Sequence, residues 1–440
     1  MSTTEQHLSA FSATAAERLG GPSWLARRRR QALDVFAAAP VPTGDEDAWR
    51  YSRIGQLDLE EFSPVAQAAS SDGSLMPTAD RFLHGFGDRT GLVVTRDGFI
   101  VSTELAEAAK ASGLGLGSAS ADPDAEGLVG SVFGEFPSST TDGFAALADA
   151  FAPDPVLVHV PAGCELSQPI FVVHLVDSTS GIAKAVFPRT LVRLEENAEA
   201  TVVELLVSED GGETLLVLPS VELSSAPGAR LSHDLVQHLG RNAWHIGRLA
   251  ATAGRDSTLR SFQASLGGAY ARVQTDSVLT GQGGSAHLLA AYFGDGDQMH
   301  DFRTLQEHAA PRTTSDLVFK GAVAGSSRSV YNGLIRMRHG AKGANAFQTN
   351  RNLVLSDGAH ADSVPTLDIQ ENDVRCSHAS AVGPVDEEQR FYLESRGVPR
   401  AVAERLILLG FFAELFERVN PSVGEFVLAS IAERTQTVAP

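Results

Sequence analysis

The central part of the chain, from about Val156 to Val382, is a succession of short runs in which hydrophobic and polar residues alternate. A repeat of two residues is the period of a β-strand. Corners of small residues, such as Pro227-Gly228 and Gly343-Ala344, separate the runs. The pattern predicts these strands: Val156–Val160, Ile170–Leu175, Thr190–Leu194, Ala200–Leu206, Leu215–Leu218, Val221–Leu223, Arg230–Val236, Ser257–Leu266, His287–Phe293, Ser315–Val323, Ser329–Met337, Ala346–Leu355 and Arg375–Val382.

The spacing of these runs favours a coil of strands over layered architectures. No helix of useful length separates them, which argues against alternating βα units. Asn-Gly and Asp-Gly hairpin turns are sparse, which argues against an immunoglobulin-like sandwich. We therefore predict a β-solenoid, in which each strand pairs with its equivalent one turn away and alternate residues fill the lumen. Because the ends of such a coil are exposed, it needs caps.

The N-terminal region, residues 1–155, has a mixed pattern. Helical periodicity covers Ser12–Leu19 and Trp24–Ala39, and residues 63–90 are typical of a linker. Leu92–Val94 and Phe99–Val101 predict a hairpin. The aromatic residues of Glu46–Tyr51 predict a patch that docks on the rest of the chain. We assign residues 1–155 to this region and 156–383 to the β-helix core.

The C-terminal region, residues 384–440, is predicted to be helical. Asp386 and Gln389 form a capping box at the start of the first helix, and Gly397 ends it. A second helix, Arg400–Arg418, is apolar on both faces, so both faces must be covered. One cover is the β-helix, and the other is the last helix, Pro421–Arg434, or a partner protein.

Composition narrows the classes of function. A net charge of −19 disfavours nucleic acid and anionic lipid as main partners. The basic run Arg27–Arg30 is interpreted as a solvated helix face. Two cysteines, Cys164 and Cys376, exclude a disulfide framework. No leader and no apolar run of about 18 residues is present. We therefore expect a soluble cytoplasmic protein with reduced thiols.

Five common motifs for catalysis or for nucleotide or metal binding are missing from the sequence. No P-loop, H-E-x-x-H, C-x-x-C or G-x-S-x-G is present, and Gly113, Gly115 and Gly117 do not match a dinucleotide fingerprint. No residue is assigned to cofactor binding. Three groups of polar residues are interpreted as structural: His159 and His174 as satisfied core histidines, His233, His238 and His245 as polar strand positions, and Asp295 and Asp297 as a solvated turn.

Cys376 and His378 stand out because they lie two residues apart in the last predicted strand. Residues i and i+2 share a face, so a thiol and an imidazole should lie side by side, and both are ligands for soft transition metals. A structural cysteine beside a hydrogen-bonded histidine is the more usual reading of such a pair. Two ligands do not complete an iron–sulfur site. If the pair binds metal, the remaining ligands come most simply from another subunit.

These residues lie within a longer run that resembles the C-terminal signature of the SufB/SufD family. The matching segments are Asp373–Ala379, Val382-Gly383, Asp386–Glu388, Phe391–Leu393 and Ser395–Gly397, preceded by Arg351–Leu355 and Ala361–Pro365. Glu46–Tyr51 is similar to an element of the SufD branch. The SufB branch is expected to carry its cluster-building cysteine where this chain has Gly358-Ala359-His360, and a glutamate where it has Ala379. The resemblance therefore favours the SufD branch.

The resemblance implies a right-handed parallel β-helix between helical ends, and a scaffold rather than an enzyme. It implies a SufB-like sister subunit, a SufC-like ABC-type ATPase bound through the C-terminal helices, and a possible homodimer when the chain is alone. No tightly bound cofactor is expected, only transient iron or an iron–sulfur cluster, with His378 as the more secure ligand and Cys376 assisting. The residues expected to bind a partner are Phe391, Tyr392, Arg396, Leu406, Phe411 and Phe412.

Two rival functions are compatible with the pattern. One is a β-helix carbohydrate-active enzyme, which would need a groove of carboxylates and usually export. The other is a structural, self-associating β-solenoid in which Cys376 and His378 only fill space. Co-purification with an ATPase would favour the scaffold over both.

Overall fold

The alternating runs form a parallel β-solenoid of about eight turns, as predicted. The computed structural model describes residues 10–38, 41–68, 74–122, 126–127, 142–179 and 181–437. Parts of the predicted N-terminal region (residues 1–9, 39–40, 69–73, 123–125 and 128–141), residue 180 and residues 438–440 lie outside this description. Between Val156 and Gly383, no helix interrupts the succession of strands in the described part of the chain.

The strands lie in two sheets that run along the solenoid. The strands of sheet A are β1 (Ser63–Pro64), β4 (Gly115–Ser118), β5 (Val156–Val160), β7 (Lys184–Val186), β8 (Arg189–Leu194), β10 (Leu215–Val217), β11 (Ser220–Ser225), β13 (Ala243–Ala253), β15 (Tyr270–Leu279), β17 (Met299–His308), β19 (Arg328–Met337) and β21 (His360–Ile369). Those of sheet B are β2 (Gly91–Arg96), β3 (Phe99–Leu105), β6 (Ile170–Leu175), β9 (Glu199–Val207), β12 (Arg230–His238), β14 (Thr258–Ser265), β16 (Ser285–Gly294), β18 (Thr314–Val323), β20 (Asn345–Val354) and β22 (Arg375–Gly383). From β11 onwards, each strand pairs in parallel with the strand two places along the chain.

The helices lie at the two ends of the chain. They are α1 (Ala13–Glu17), α2 (Ser23–Ala38), α3 (Pro77–His84), α4 (Glu107–Ala111), α5 (Gly143–Phe151), α6 (Glu387–Ser395), α7 (Arg400–Phe416) and α8 (Pro421–Thr437). Helix α6 begins as predicted: the Asp386 side chain accepts from the backbone N–H groups of Glu388 and Gln389. Gly397, at φ +87°, follows its end.

One corner of the solenoid is marked by residues in the left-handed backbone region. They recur about once per turn: Gly163, Asn197, Gly228, Asp256, Gly283, Arg312 and Gly343. Each donates its N–H to a carbonyl of the next turn, for example Arg312 to Lys342 at 2.9 Å. Glycine adopts this region without steric cost, whereas asparagine, aspartate and arginine do so at a cost in free energy.

The outer faces of the sheets are covered by the terminal regions. Helices α3, α7 and α8 pack on sheet B in one hydrophobic cluster. The N-terminal segment packs on sheet A, where Trp49 is 1% exposed and the Arg272 guanidinium lies 3.8 Å from its ring centre. The predicted docking patch is therefore confirmed for Trp49, whereas Tyr51 is exposed.

The sequence prediction misses several strands of sheet A, and β13, β15 and β17 are the longest of them together with β21. Their outward residues include charged groups that interrupt the hydrophobic pattern. Asp301 is fully buried and accepts from Tyr270, from Arg272 at 2.6 Å and from Arg303 at 2.7 Å. A buried charge is tolerated when it is paired and hydrogen-bonded. The covering N-terminal segment, which removes these groups from water, is a tertiary feature that local periodicity does not show.

Three further predictions for single regions are wrong. The proposed linker at 63–90 contains α3, whose Phe82 ring meets the Phe426 ring of α8 at 4.9 Å. Arg29, in the supposedly solvated basic run, is 3% exposed and donates to the Ala152 carbonyl at 2.9 Å, and burial lowers the pKa of Arg29 to about 10. Asp295 is buried and accepts from Arg241 instead of lying in a solvated turn.

Candidate functional site

The solenoid ends at β21 and β22, the last strands of the two sheets. Each pairs on one side only, with β19 and β20 respectively, and no other described strand continues the ladders. The N–H and C=O groups along the other edge are therefore free to pair with another chain. We call this last turn, residues 360–369 and 375–383, the open end.

Cys376 and His378 both lie in β22, in register with Ala346 and Gln348 of β20. The Cys376 side chain is half-buried against the lumen cluster that includes Ile335. Burial raises the pKa of the Cys376 thiol. His378 is exposed, and among the described residues no hydrogen bond to its ring is found. The pair thus offers one sheltered sulfur and one accessible imidazole.

The lumen is closed one turn earlier and open at the last turn. Met337 is fully buried, but Ile369, its register partner in β21, is 49% exposed. Val382 is 45% exposed, while its partner Asn352 is 3% exposed. Both exposed residues continue columns of buried lumen residues, so the interior of the solenoid is uncovered at the open end.

Behind the open end, aromatic rings fill the lumen. Tyr292 and Phe302 lie 4.6 Å apart between ring centres, and Phe302–Phe319 and Phe319–Tyr331 follow at 5.6 and 5.5 Å. Gly321 leaves the space that Tyr292 occupies, since a Cβ there would lie 1.9 Å from the tyrosine ring. The interior next to the site is therefore packed solid.

Three amide side chains of β20, Gln348, Asn350 and Asn352, form the layer directly beneath β22, and all are nearly fully buried. Asn352 donates to Asn350 at 2.8 Å and accepts from the Tyr292 hydroxyl at 2.6 Å. Gln348 donates its amide nitrogen to the Gly333 carbonyl at 3.5 Å. The pattern of residues along the chain does not single out these amides, because their role depends on the register between turns.

The six residues expected to bind a partner lie on α6, α7 and the turn between them. Phe391, Tyr392 and Leu406 are 70%, 58% and 47% exposed, and the Arg396 guanidinium lies 5.3 Å from the Tyr392 ring centre. Phe412 is fully buried and Phe411 is partly buried in the cluster between α7 and sheet B. These two rings hold α7 on the solenoid, while the other residues remain available to a partner.

A second group of histidines lies deep in the lumen. The Nε2 atoms of His174 and His233 lie 3.1 and 3.2 Å from the two carboxylate oxygens of Glu204. Thr95 and Thr190 also hydrogen-bond to this group. Burial alone would raise the pKa of Glu204, but the hydrogen bonds from the histidines lower it to about 2. The prediction of a satisfied core histidine is confirmed for His174.

His159, in contrast, is half-buried beside Glu195, at 3.3 Å. Within the described ranges, no cluster of three or more histidine, cysteine or acidic residues is arranged to hold a metal ion. Among the described helices, none combines the length and apolarity that a membrane crossing requires.

Comparisons with known proteins identify relatives for both parts of the chain. The model of the "SUF system FeS cluster assembly, SufBD core domain" matches residues 174–411, and that of the "SufBD protein N-terminal region" matches residues 1–172. An iron–sulfur cluster assembly SufBD family protein of Mycobacterium tuberculosis is 36% identical over 300 residues, covering 66% of this chain and 74% of the relative.

Two relatives carry a more specific name. The iron–sulfur cluster assembly protein SufD of Escherichia coli is 28% identical over 407 residues, 92% of each chain. SufD of Bacillus subtilis is 26% identical over 448 residues, covering 99% of this chain and 98% of the relative.

Proposed function

This chain belongs to the SufBD family of SUF iron–sulfur cluster assembly proteins, and on that premise we propose that it is a non-enzymatic scaffold subunit of the SufD type. The open end of the solenoid is the observation that carries the proposal, because it combines unpaired strand edges, exposed apolar residues, and a thiol and an imidazole, which are side chains of the types that can bind metal. Neither rival function accounts for this combination together with the family assignment.

The partner proposed for the open end is a SufB-like sister subunit. Free edges of β21 and β22 can extend their ladders into a second solenoid, and the exposed side chains of Ile369, Val382 and Val364 would be buried by it. A long exposed strand edge with apolar neighbours is a liability unless it is covered. Two copies of this chain would use the same surface when the sister subunit is missing.

The proposed cargo is iron or a nascent iron–sulfur cluster, held transiently where the two subunits meet. His378 offers an accessible nitrogen, and Cys376 offers a sulfur that becomes a ligand once its proton is lost. Because the pKa of the Cys376 thiol is raised by burial, we propose that His378 binds first and Cys376 second. The partner subunit would supply the ligands that complete the site.

The proposed ATPase contact is the exposed surface of α6 and α7. Phe391, Tyr392 and Leu406 give it an apolar centre, as expected for the anchor of a protein–protein interface. Helix α7 is also tied to the solenoid: buried Lys320 donates to the Phe411 carbonyl at 2.9 Å and pairs with Glu414. A SufC-like ATPase moving these helices would therefore pull on β18, two strands from β22.

The test is iron and acid-labile sulfide in the complex with and without the His378 imidazole. The chain would be co-expressed with SufB-like and SufC-like partners and purified anaerobically. His378→Ala should abolish iron and sulfide retention while leaving the size and subunit composition of the complex unchanged.

His360→Ala is the matched control, because His360 is an exposed histidine in the same turn whose strand position faces outward. It should retain iron and sulfide like the original chain. A His378→Ala complex with normal iron and sulfide would contradict the proposed role.

A further inference from the structure

Gln348 occupies the position directly beneath His378. The two residues are register partners on β20 and β22, and neighbouring strands are about 4.8 Å apart. Both positions lie on the lumen face, since Gln348 is fully buried and reaches across to sheet A. The two side chains are therefore nearest neighbours in one lumen column.

The amide oxygen of Gln348 is buried and has no hydrogen-bond partner among the described residues. Its nitrogen donates to the Gly333 carbonyl at 3.5 Å, and a Cβ at Gly333 would lie 2.2 Å from the Tyr331 hydroxyl and 2.8 Å from that nitrogen. This fixes which end of the amide remains without a partner. Such an oxygen is costly to leave without a donor. Gln263 and Gln306 carry one as well, but their register partners are not histidines, whereas Gln348 is the register partner of His378.

The other two amides of the layer do not share this feature. Asn350 and Asn352 bond to one another, and both bond to the Tyr292 hydroxyl. Their register partners in β22 are Ser380 and Val382. The unsatisfied acceptor thus occurs at the one amide position that faces a histidine.

An imidazole that binds a metal through one nitrogen needs an acceptor for the N–H of the other. We propose that Gln348 Oε1 accepts a hydrogen bond from Nδ1–H of His378 and is the positioning residue for this ligand. Nδ1 is the ring nitrogen nearer the backbone, and Nε2 is the one farther from it. Nε2 then carries the lone pair and points out of the open end, towards the partner subunit. This inference rests on the proposed function of His378.

The first test uses the metal-free chain. Long-range ¹H–¹⁵N NMR of the neutral His378 ring should show the Nδ1–H tautomer as the major form. Gln348→Met keeps the length and unbranched shape of the side chain but removes the acceptor, so the ring should revert to mainly Nε2–H. Gln348→Glu restores an acceptor and should restore Nδ1–H.

Asn352→Leu is the matched control, because it removes an amide from the same strand and lumen layer but away from His378. It should leave the tautomer unchanged. A major Nε2–H form in the unaltered chain would overturn the proposal, and that measurement does not depend on any variant folding. An identical tautomer ratio in the Gln348→Met chain would also overturn it.

The second test measures metal affinity in the complex with the sister subunit, with Co²⁺ as the spectroscopic probe. Loss of a hydrogen-bond partner behind a ligating histidine typically costs 10–100-fold in metal affinity, so we expect Gln348→Met to weaken Co²⁺ binding by about that factor. If the tautomer responds as expected but no Co²⁺ binds even to the unaltered complex, the proposed function fails while the positioning contact stands.

Discussion

The solenoid contains two histidine sites on the lumen face of sheet B, one in its early turns and one in its last. In the first, His174 and His233 share the carboxylate of Glu204, and all three are at most 1% exposed. In the second, His378 is exposed beside half-buried Cys376. The residue types alone do not separate structure from function. Their positions along the solenoid do, because the early site is enclosed by neighbouring turns and the last turn leaves the lumen face uncovered.

The two sites also differ in what they contribute to the stability of the fold. A buried carboxylate with hydrogen-bonding histidines belongs to the core, and removing one member leaves the others buried without partners. An exposed pair at the end of the solenoid can be altered without opening a cavity. Stability should therefore depend on the early site, and ligand binding on the late one.

The largest predicted effect is the loss of stability in Glu204→Ala. We expect about 3–5 kcal/mol of destabilisation, because the change leaves two buried imidazoles without their acceptor and opens a cavity. His378→Ala should change the free energy of unfolding by less than about 0.5 kcal/mol. Urea denaturation followed by circular dichroism measures both. A cost below about 1 kcal/mol for Glu204→Ala would remove the distinction between the two sites.

The next effect is acid destabilisation by other lumen histidines. Burial lowers the pKa of His245 and His300 to about 3, whereas an unfolded histidine has a pKa near 6.5. Below pH 6.5 the unfolded chain therefore binds protons that the folded chain does not, and stability falls until pH approaches 3. The slope approaches about 1.4 kcal/mol per pH unit for each histidine below pH 6.5, and the loss for both between pH 6.5 and 5.5 is about 2 kcal/mol.

Urea midpoints between pH 8 and pH 5 measure this loss. His308, whose pKa burial lowers to about 4, adds a loss of the same sign. His300→Gln should therefore remove one histidine's share of the slope, about 1.4 kcal/mol per pH unit. Glu204 adds a separate loss at lower pH, because its folded pKa of about 2 lies below the ordinary value of 4.5. Stability that stayed constant from pH 7 to pH 5.5 would contradict the burial of these histidines.

The two sites also differ in how far the sequence predicts them. The solenoid follows from alternation, and the pair Cys376 and His378 follows from the i, i+2 spacing within one strand. The partners of buried residues do not, because they come from other turns: Glu204 lies 30 and 29 residues from His174 and His233. The same holds for Gln348, 30 positions before His378. The register between turns makes residues so far apart in the chain neighbours. The corner residues that adopt the left-handed region recur about once per turn, and their spacing in the sequence is the signal from which the register could have been inferred.

The smallest predicted effect concerns that corner, which both regions share. Arg312 adopts φ +56° at a position where the next turn has Gly343 at φ +74°. Arg312→Gly should stabilise the chain by about 0.5–1 kcal/mol, because the relief of left-handed strain exceeds the added entropy of the unfolded chain. Gly343→Ala is the matched reverse change: a Cβ there would meet Arg312 Cγ at an ordinary 3.5 Å, so its cost of about 1 kcal/mol comes from the backbone alone.

Differential scanning calorimetry of the two variants should show melting temperatures that move in opposite directions. Iron retention by the complex should stay the same in both variants, because neither residue contributes a side chain to the open end. If Arg312→Gly lowered the melting temperature, the arginine side chain would hold the corner more strongly than its backbone strains it.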